Sequence, residues 1–498
     1  MGQFAGKYRS LAALALCLAL PAPLSAQGAS LEERFQAATS HRDCQAVMRL
    51  TESRLALGAR LGSRPVDRPL LETGLMCAAS IDDQARTGRF AIAATSFDGA
   101  SDAAWRARLW AEVQSGEGNS GVDTILYLNR SRPALLNAVP AEWLLDLDNR
   151  LKEARLDQDR VKLLGLLTDG PYESEDLFIN ADYFRSQQIM LLARMGDMEG
   201  ARRALAASSS AAPLLQALIV PELRPLLPAG IDLHARVEAD LARHLGESAA
   251  KPQALGPLYK AAQDLRLLGR FDEALAVLLR AERLPGGPHG ASDAQDNFNW
   301  WENSLGETYY FLGRYDEMVA AYRAAMASGE RDQPNVSQTI NLAGRQFVTG
   351  HPQDALETLA GIEISDSTMS EYGQLVARRT RGCAAFALGK LDMAHADLVY
   401  VRDHRAAALD TTVVADALLC QRDEDGAAAE YIALLGNADP EKRAAALSTF
   451  MDGEPLPPAV EAEPSRQATR RLAARPDVAA AIARAGGTVH FPLVPTDY

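Results

Sequence analysis

The chain has 498 residues, a formal net charge of −14, 47% apolar residues and 23% charged residues. Those fractions describe an ordered globular chain rather than a disordered one, and the length fits roughly three ordinary domains. The acidic balance, with no basic run carrying interleaved aromatics, argues against a nucleic-acid partner, whose phosphates need clustered Lys and Arg.

Residues 1–26 read as a secretory signal. Lys7 and Arg9 precede the apolar run Leu11 to Leu20, which is too short to cross a bilayer, and Pro21 to Ala26 supplies a small-residue exit. Cleavage is expected after Ala26, which places the mature chain in the periplasm or outside the cell. No later segment is long and apolar enough to span a membrane. Four cysteines then remain: Cys44, Cys77, Cys383 and Cys420. They form no CxxC pair, so zinc and thioredoxin chemistry lack support. An exported chain can oxidise them. The local pairings are Cys44 with Cys77 and Cys383 with Cys420, and free buried thiols are the alternative.

Residues 27–254 read as a degenerate helical-repeat region. Ser30-Leu-Glu-Glu is a helix start, and apolar residues at helical spacing continue from Cys44 to Leu57. Pro65 marks a turn within Arg64 to Arg68. Leu70 to Ala79 is a helix, Arg89 to Phe97 is read as helix over strand, and Ala103 to Val113 is an amphipathic helix carrying Trp105 and Trp110. Gly116 to Gly121 matches G-x-G-x-x-G in letters, but it follows a helix and lacks the βαβ context, so it reads as a surface loop. Ala141 to Arg155 and Asp159 to Leu167 form a helical pair. Phe184 to Ala207 is a clearer repeat, turning at Gly196. Pro213 to Pro252, interrupted by Pro221, Pro225 and Pro228, reads as a bridge of short helices.

Residues 255–451 carry the strongest pattern. One unit turns at Gly269, with Phe271, Ala274, Leu278 and Ala281 following. The next runs LGETYYFLGRYDEMVAAYRAA from Leu305, with Leu305-Gly306, Tyr309, Gly313, Tyr315 and Tyr322. Gly306 lets a neighbouring helix approach closely, and Gly313 suits the left-handed residue that ends a helix. Further units turn at Gly350 and Gly389, and a degenerate fifth carries Leu419, Ala428 and Ile432 without a clear turn glycine. Each helix has one apolar face and is too short to be stable alone, so the pairs must stack. This pattern resembles the tetratricopeptide repeat, a helix-turn-helix unit of about 34 residues. Asp452 to Pro464 is a proline- and acid-rich linker. Short helices over Arg466 to Ala474 and Pro476 to Ala485, and an extended Thr488 to Tyr498, complete a segment (452–498) expected to pack back on the array as a cap.

The resemblance implies an all-α fold, a right-handed α-solenoid whose first helices line a concave groove that takes a peptide or a partner's helix. Counted back from each turn glycine, the inward positions are Tyr259, Gln263 and Arg266. In the next unit they are Trp300, Asn303, Glu307, Tyr310 and Phe311. Ile340, Phe347, Arg379, Cys383 and Phe386 follow in the two after that. Aromatics and Arg dominate binding hot spots, but aromatics at helical spacing also build cores, Phe347 and Phe386 especially. No HExxH, G-x-S-x-G or P-loop is present, and the eight histidines are scattered. No catalytic residue, cofactor or metal site is expected. The leading expectation is a non-enzymatic envelope scaffold that binds a protein or peptide. The rivals are a structural subunit of an export or cell-wall assembly docking by its convex face and tail, and an enzyme with its site before residue 255.

Overall fold

A computed structural model of the chain describes residues 30–57, 64–115, 118–174, 176–328, 335–365, 367–405 and 412–495. The leader expected over 1–26 lies outside them. The described residues are all-α apart from two short strands, and they divide into two compact units between Leu191 and Leu192.

In the first unit, α1 (Leu31–Ser40) and α2 (Cys44–Ala56) are followed by α3 (Asp67–Ser80) and α4 (Gln84–Ala94). Next come α5 (Asp102–Ser115), α6 (Gly118–Ser131), α7 (Pro133–Asn137), α8 (Ala141–Glu153) and α9 (Asp157–Asp169). The division between the units falls within α10 (Ala181–Arg194). Ser30 opens α1 with a capping box, its hydroxyl accepting from Glu33 N–H while the Glu33 carboxylate accepts from Ser30 N–H. The expected loop over Gly116 to Gly121 gives way to the start of α6 at Gly118. A Cβ on Gly121 would sit 3.0 Å from a Leu147 methyl, so this glycine serves a close helix approach. Two core clusters fill the unit, one around Leu70, Phe90 and Ala91 and one around Leu109, Leu144 and Phe184. The Cys44–Cys77 disulfide joins α2 to α3.

The second unit opens with α11 (Met198–Ala206) and α12 (Ala212–Ile219). The expected bridge of short helices over 213–252 holds α12 and a 3₁₀ turn over Arg224–Leu226, but its second half is one 18-residue helix, α13 (Leu233–Ala250). All three prolines that suggested interruption precede it, and Asp232 caps it by accepting from Ala235 N–H. Five helix pairs follow. They are α14 (Gly256–Leu267) with α15 (Phe271–Leu278), α16 (Ala294–Phe311) with α17 (Tyr315–Ala327), and α18 (Val336–Val348) with α19 (Pro352–Ala360). The last two are α20 (Glu371–Ala387) with α21 (Leu391–Asp403), and α22 (Val413–Cys420) with α23 (Glu424–Leu435). Consecutive pairs share continuous apolar clusters, as a solenoid requires. The Cys383–Cys420 disulfide ties the first helices of the last two pairs.

Each turn between paired helices needs a residue at positive φ. Gly269, Gly313, Gly350 and Gly389 supply it in four pairs, and Arg422 (φ 64°) supplies it in the fifth. Arg42, Asp82 and Arg155 do the same in the first unit. A side chain in this region costs about 1 kcal/mol. At Arg42, Asp82 and Arg422 the next residue is an aspartate whose carboxylate caps the second helix.

After α24 (Pro440–Ser448) the chain forms a C-terminal arm. It comprises β1 (Asp452–Gly453), α25 (Pro458–Glu461), α26 (Pro464–Ala473), α27 (Pro476–Arg484) and β2 (His490–Phe491), with β1 and β2 parallel. Ala468, Leu472, Val478 and Ala481 of α26 and α27 bury against α22 and α23. The arm also returns to the start of this unit. The Arg224 guanidinium donates to the carbonyls of Gly486 (2.8 Å) and Gly487 (3.0 Å), and just ahead of the arm Arg443 of α24 pairs with Glu222.

Gly306 sits where a Cβ would lie 2.6 Å from the Tyr322 ring. Gly306→Ala is expected to destabilise the second unit by about 1–3 kcal/mol, because a buried aromatic ring cannot retreat freely. Chemical denaturation followed by circular dichroism checks this; an unchanged midpoint would mean that α16 and α17 are not held at this contact.

Candidate functional site

The first helices of successive pairs lie side by side, and their polar residues recur at a fixed register. Arg266 of α14 donates to Ser304 Oγ (2.6 Å), Thr308 Oγ1 (3.3 Å) and Glu307 Oε2 (3.0 Å) of α16. Glu307 Oε1 accepts from Asn303 Nδ2 (3.1 Å), and Asn303 Oδ1 accepts from Asn341 Nδ2 of α18 (2.9 Å). One hydrogen-bonded row therefore crosses three consecutive first helices. Gln263 flanks it, exposed, and donates to the Tyr259 hydroxyl (2.9 Å). Further along, Arg379 of α20 faces Asp416 of α22 at 3.6 Å.

Asn341 was not among the expected residues. The signal was available: it stands 38 residues after Asn303, the same separation that carries Arg266 to Ser304. Arg345 was missed as well, and it repeats the Glu307 position. The expected residues differ in exposure. Gln263 is open, and Trp300, Glu307 and Arg379 are partly open. Tyr259, Arg266 and Asn303 are buried within the row. Trp301, beside Trp300, fills the core and donates its indole N–H to the Leu278 carbonyl (3.2 Å). Phe347 and Phe386 are half-buried against the cluster of Ile340, Ala343 and Leu359. Cys383 is in the disulfide with Cys420.

Tyr310 and Phe311 do not line an open face. Phe311 stacks on Phe271 with ring centroids 4.9 Å apart. Tyr310 is covered by the C-terminal arm: its hydroxyl donates to Glu463 Oε1 (2.5 Å), and the Arg345 guanidinium lies 4.3 Å over its ring. Leu456, Val460 and Val494 share one buried cluster with Tyr310, Phe311 and Leu342. Burial pushes the Tyr310 hydroxyl well above its usual range.

Glu302 on α16 is a different kind of group. Burial, reinforced by the nearby Glu282 carboxylate, lifts it from 4.5 to about 8. Among the described residues no cluster of His, Cys, Asp or Glu is arranged to hold a metal, and no helix is long and apolar enough to cross a membrane. In the first unit a depression of about 570 Å³ is lined by Pro65, Arg68, Glu72, Thr73 and Met76. Its one carboxylate, Glu72, accepts from Ser101 N–H (3.0 Å) and pairs with Arg68 (3.4 Å), so it is engaged structurally.

No protein-family model matches the chain, and no curated protein matches it. Solved structures with some likeness include the APC/C hetero-tetramer Cut9–Hcn1, with 11% identity over 91% of this chain and 95% of that one and a TM-score of 0.29. Yeast Tom70 gives 11% identity over 91% and 98%, with a TM-score of 0.34. Naa15/Naa10 bound to HypK-THB gives 11% over 90% and 84%, with a TM-score of 0.23. Scores this low do not establish a shared course of the chain, and the functional reading rests on the contacts above.

Two outcomes are expected. Arg266→Ala removes a buried guanidinium that joins α14 to three partners on α16, and should cost about 3 kcal/mol of stability, read by denaturant unfolding. A loss of partner binding without loss of stability would instead place Arg266 at a contact surface. For Glu302, the folded state keeps its proton up to about pH 8, whereas the unfolded chain loses it near 4.5. The folded form therefore binds more protons in this window, and its stability falls as pH rises from 4.5 to 8, then levels off. Glu302→Gln should raise the thermal midpoint by an amount that grows between pH 5 and pH 8. A pH-independent difference would show that the carboxyl is solvated.

Proposed function

We propose that this chain is a non-enzymatic protein-interaction scaffold of the cell envelope. Its binding face is the row on the first helices, running from Gln263 past Glu307, Asn303 and Asn341 towards Arg379. The hydrogen-bonded row across α14, α16 and α18 carries this reading. Its members fix one another's rotamers, yet Gln263, Glu307, Asn341 and Arg379 keep exposed edges with unused donor or acceptor capacity. Polar groups held rigidly at regular intervals lose little entropy on meeting an extended peptide or a partner's helix. The envelope location is supported by the signal-like residues 1–26 and by the two disulfides, which suit an oxidising compartment. Trp300, partly exposed on α16, is the aromatic contact on this face.

Photocrosslinking groups placed at 263 and at 341 in the native envelope should yield the same protein adduct, while one at the exposed Met393 of α21 should not. Gln263→Ala with Asn341→Ala should weaken capture roughly tenfold, the loss expected for one or two hydrogen bonds. Equal adducts at all three positions, or none at 263 and 341, would remove the first-helix face as the binding site.

A further inference from the structure

The surface around Tyr310 is already occupied by the chain itself. Leu456 and Val460 lie four residues apart and bury against Tyr310, Phe311 and Leu342. Glu463, three residues on, accepts from the Tyr310 hydroxyl. Pro457 and Pro458 open the short helix α25 between them. This stretch holds Pro455, Pro457, Pro458 and Pro464, so it has few backbone donors with which to bind the array. It is flanked by firmer attachments. On one side α26 and α27 bury Leu472 and Val478 against α22 and α23. On the other, Val494 N–H donates to the Leu267 carbonyl (2.9 Å), and Glu454 N–H donates to Leu493 O (3.0 Å). A weakly hydrogen-bonded segment is thus held over an aromatic and cationic surface by anchors at both ends.

We propose that residues 454–463 are a built-in occupant of a second docking surface, formed by Tyr310, Phe311, Leu342 and Arg345. A partner engages this surface by displacing that occupant. The partner segment carries the same chemistry: a proline-started short helix with apolar side chains four apart and a carboxylate three residues further on. The carboxylate meets the Tyr310 hydroxyl beside Arg345, and the apolar pair enters the cluster that Leu456 and Val460 now fill. The inference rests on the scaffold reading, and its surface adjoins the Gln263–Asn341 row at Arg345, one turn from Asn341 on α18; the peptide test reads only the resident segment, so the two fail separately.

The test uses the full chain and a labelled synthetic peptide, residues 454–467, followed by fluorescence anisotropy. Val460→Ala with Glu463→Ala loosens the resident segment and leaves the receiving surface intact. This double variant should bind the peptide roughly tenfold or more tightly than the wild type, because an internal occupant lowers apparent affinity by the fraction of chains that are open. Adding Tyr310→Phe should weaken that binding again. Peptide affinity equal in the wild type and in a folded double variant would overturn the proposal. If the double variant does not fold, hydrogen exchange on the wild type decides. Amides of Leu456 and Ala459 to Glu463 that open well before those of α16 support a displaceable segment; protection equal to α16 makes it permanent core. Photocrosslinks at 263 and 341 report on the scaffold reading whichever way the peptide behaves.

Discussion

Every helix in the array must bury an apolar face that it cannot cover by itself, and the rest of the structure depends on how it does so. Helices of eight to eighteen residues gain their stability from the neighbour they lie on. The paired arrangement needs a reversal between helices, and each reversal is made by one residue at positive φ. Where that residue is Gly269 or Gly313 the strain is absent. Where it is Arg42, Asp82, Arg155 or Arg422, helix packing compensates for the strain. The close contact of Gly306 with the Tyr322 ring shows how tightly one pair is closed.

Stacking the pairs sets the first helices beside each other and brings polar groups from different pairs into contact. Arg266, Glu307, Asn303 and Asn341 form one row only because three helices share a register. Buried members hold the exposed ones in place, so a single residue type serves packing at one position and recognition at the next. The distinction between Trp300 and Trp301 has the same origin: adjacent residues on one helix point about 100° apart, and one turns inward.

The C-terminal arm makes the second unit return on itself. Its last helices finish the apolar stack at α22 and α23, and its extended parts cross back to Leu267 and to Arg224. The prolines that make the segment from 455 to 464 look like a linker leave it one short helix, α25, and few backbone donors to offer the array. Its contacts with the first helices are made by the side chains of Leu456, Val460 and Glu463, which separates it in kind from the helical anchors around it.

By itself the sequence determined the all-α character, the helix pairs of 255–435 and the close approach at Gly306, because apolar periodicity and turn glycines are local signals. It left the turns at Arg42, Asp82, Arg155 and Arg422 unread, since nothing in an arginine marks positive φ and an aspartate adopts it only occasionally. Pro221, Pro225 and Pro228 marked the irregular stretch between α12 and α13, but not the full 18-residue length of α13. Only the tertiary structure decided which inward positions are open. Gln263 and Tyr310 are both inward positions of the repeat, yet one is exposed and the other lies under Glu463, 153 positions away in the chain. No local pattern encodes that contact, because it arises from where the stacked pairs carry the end of the chain.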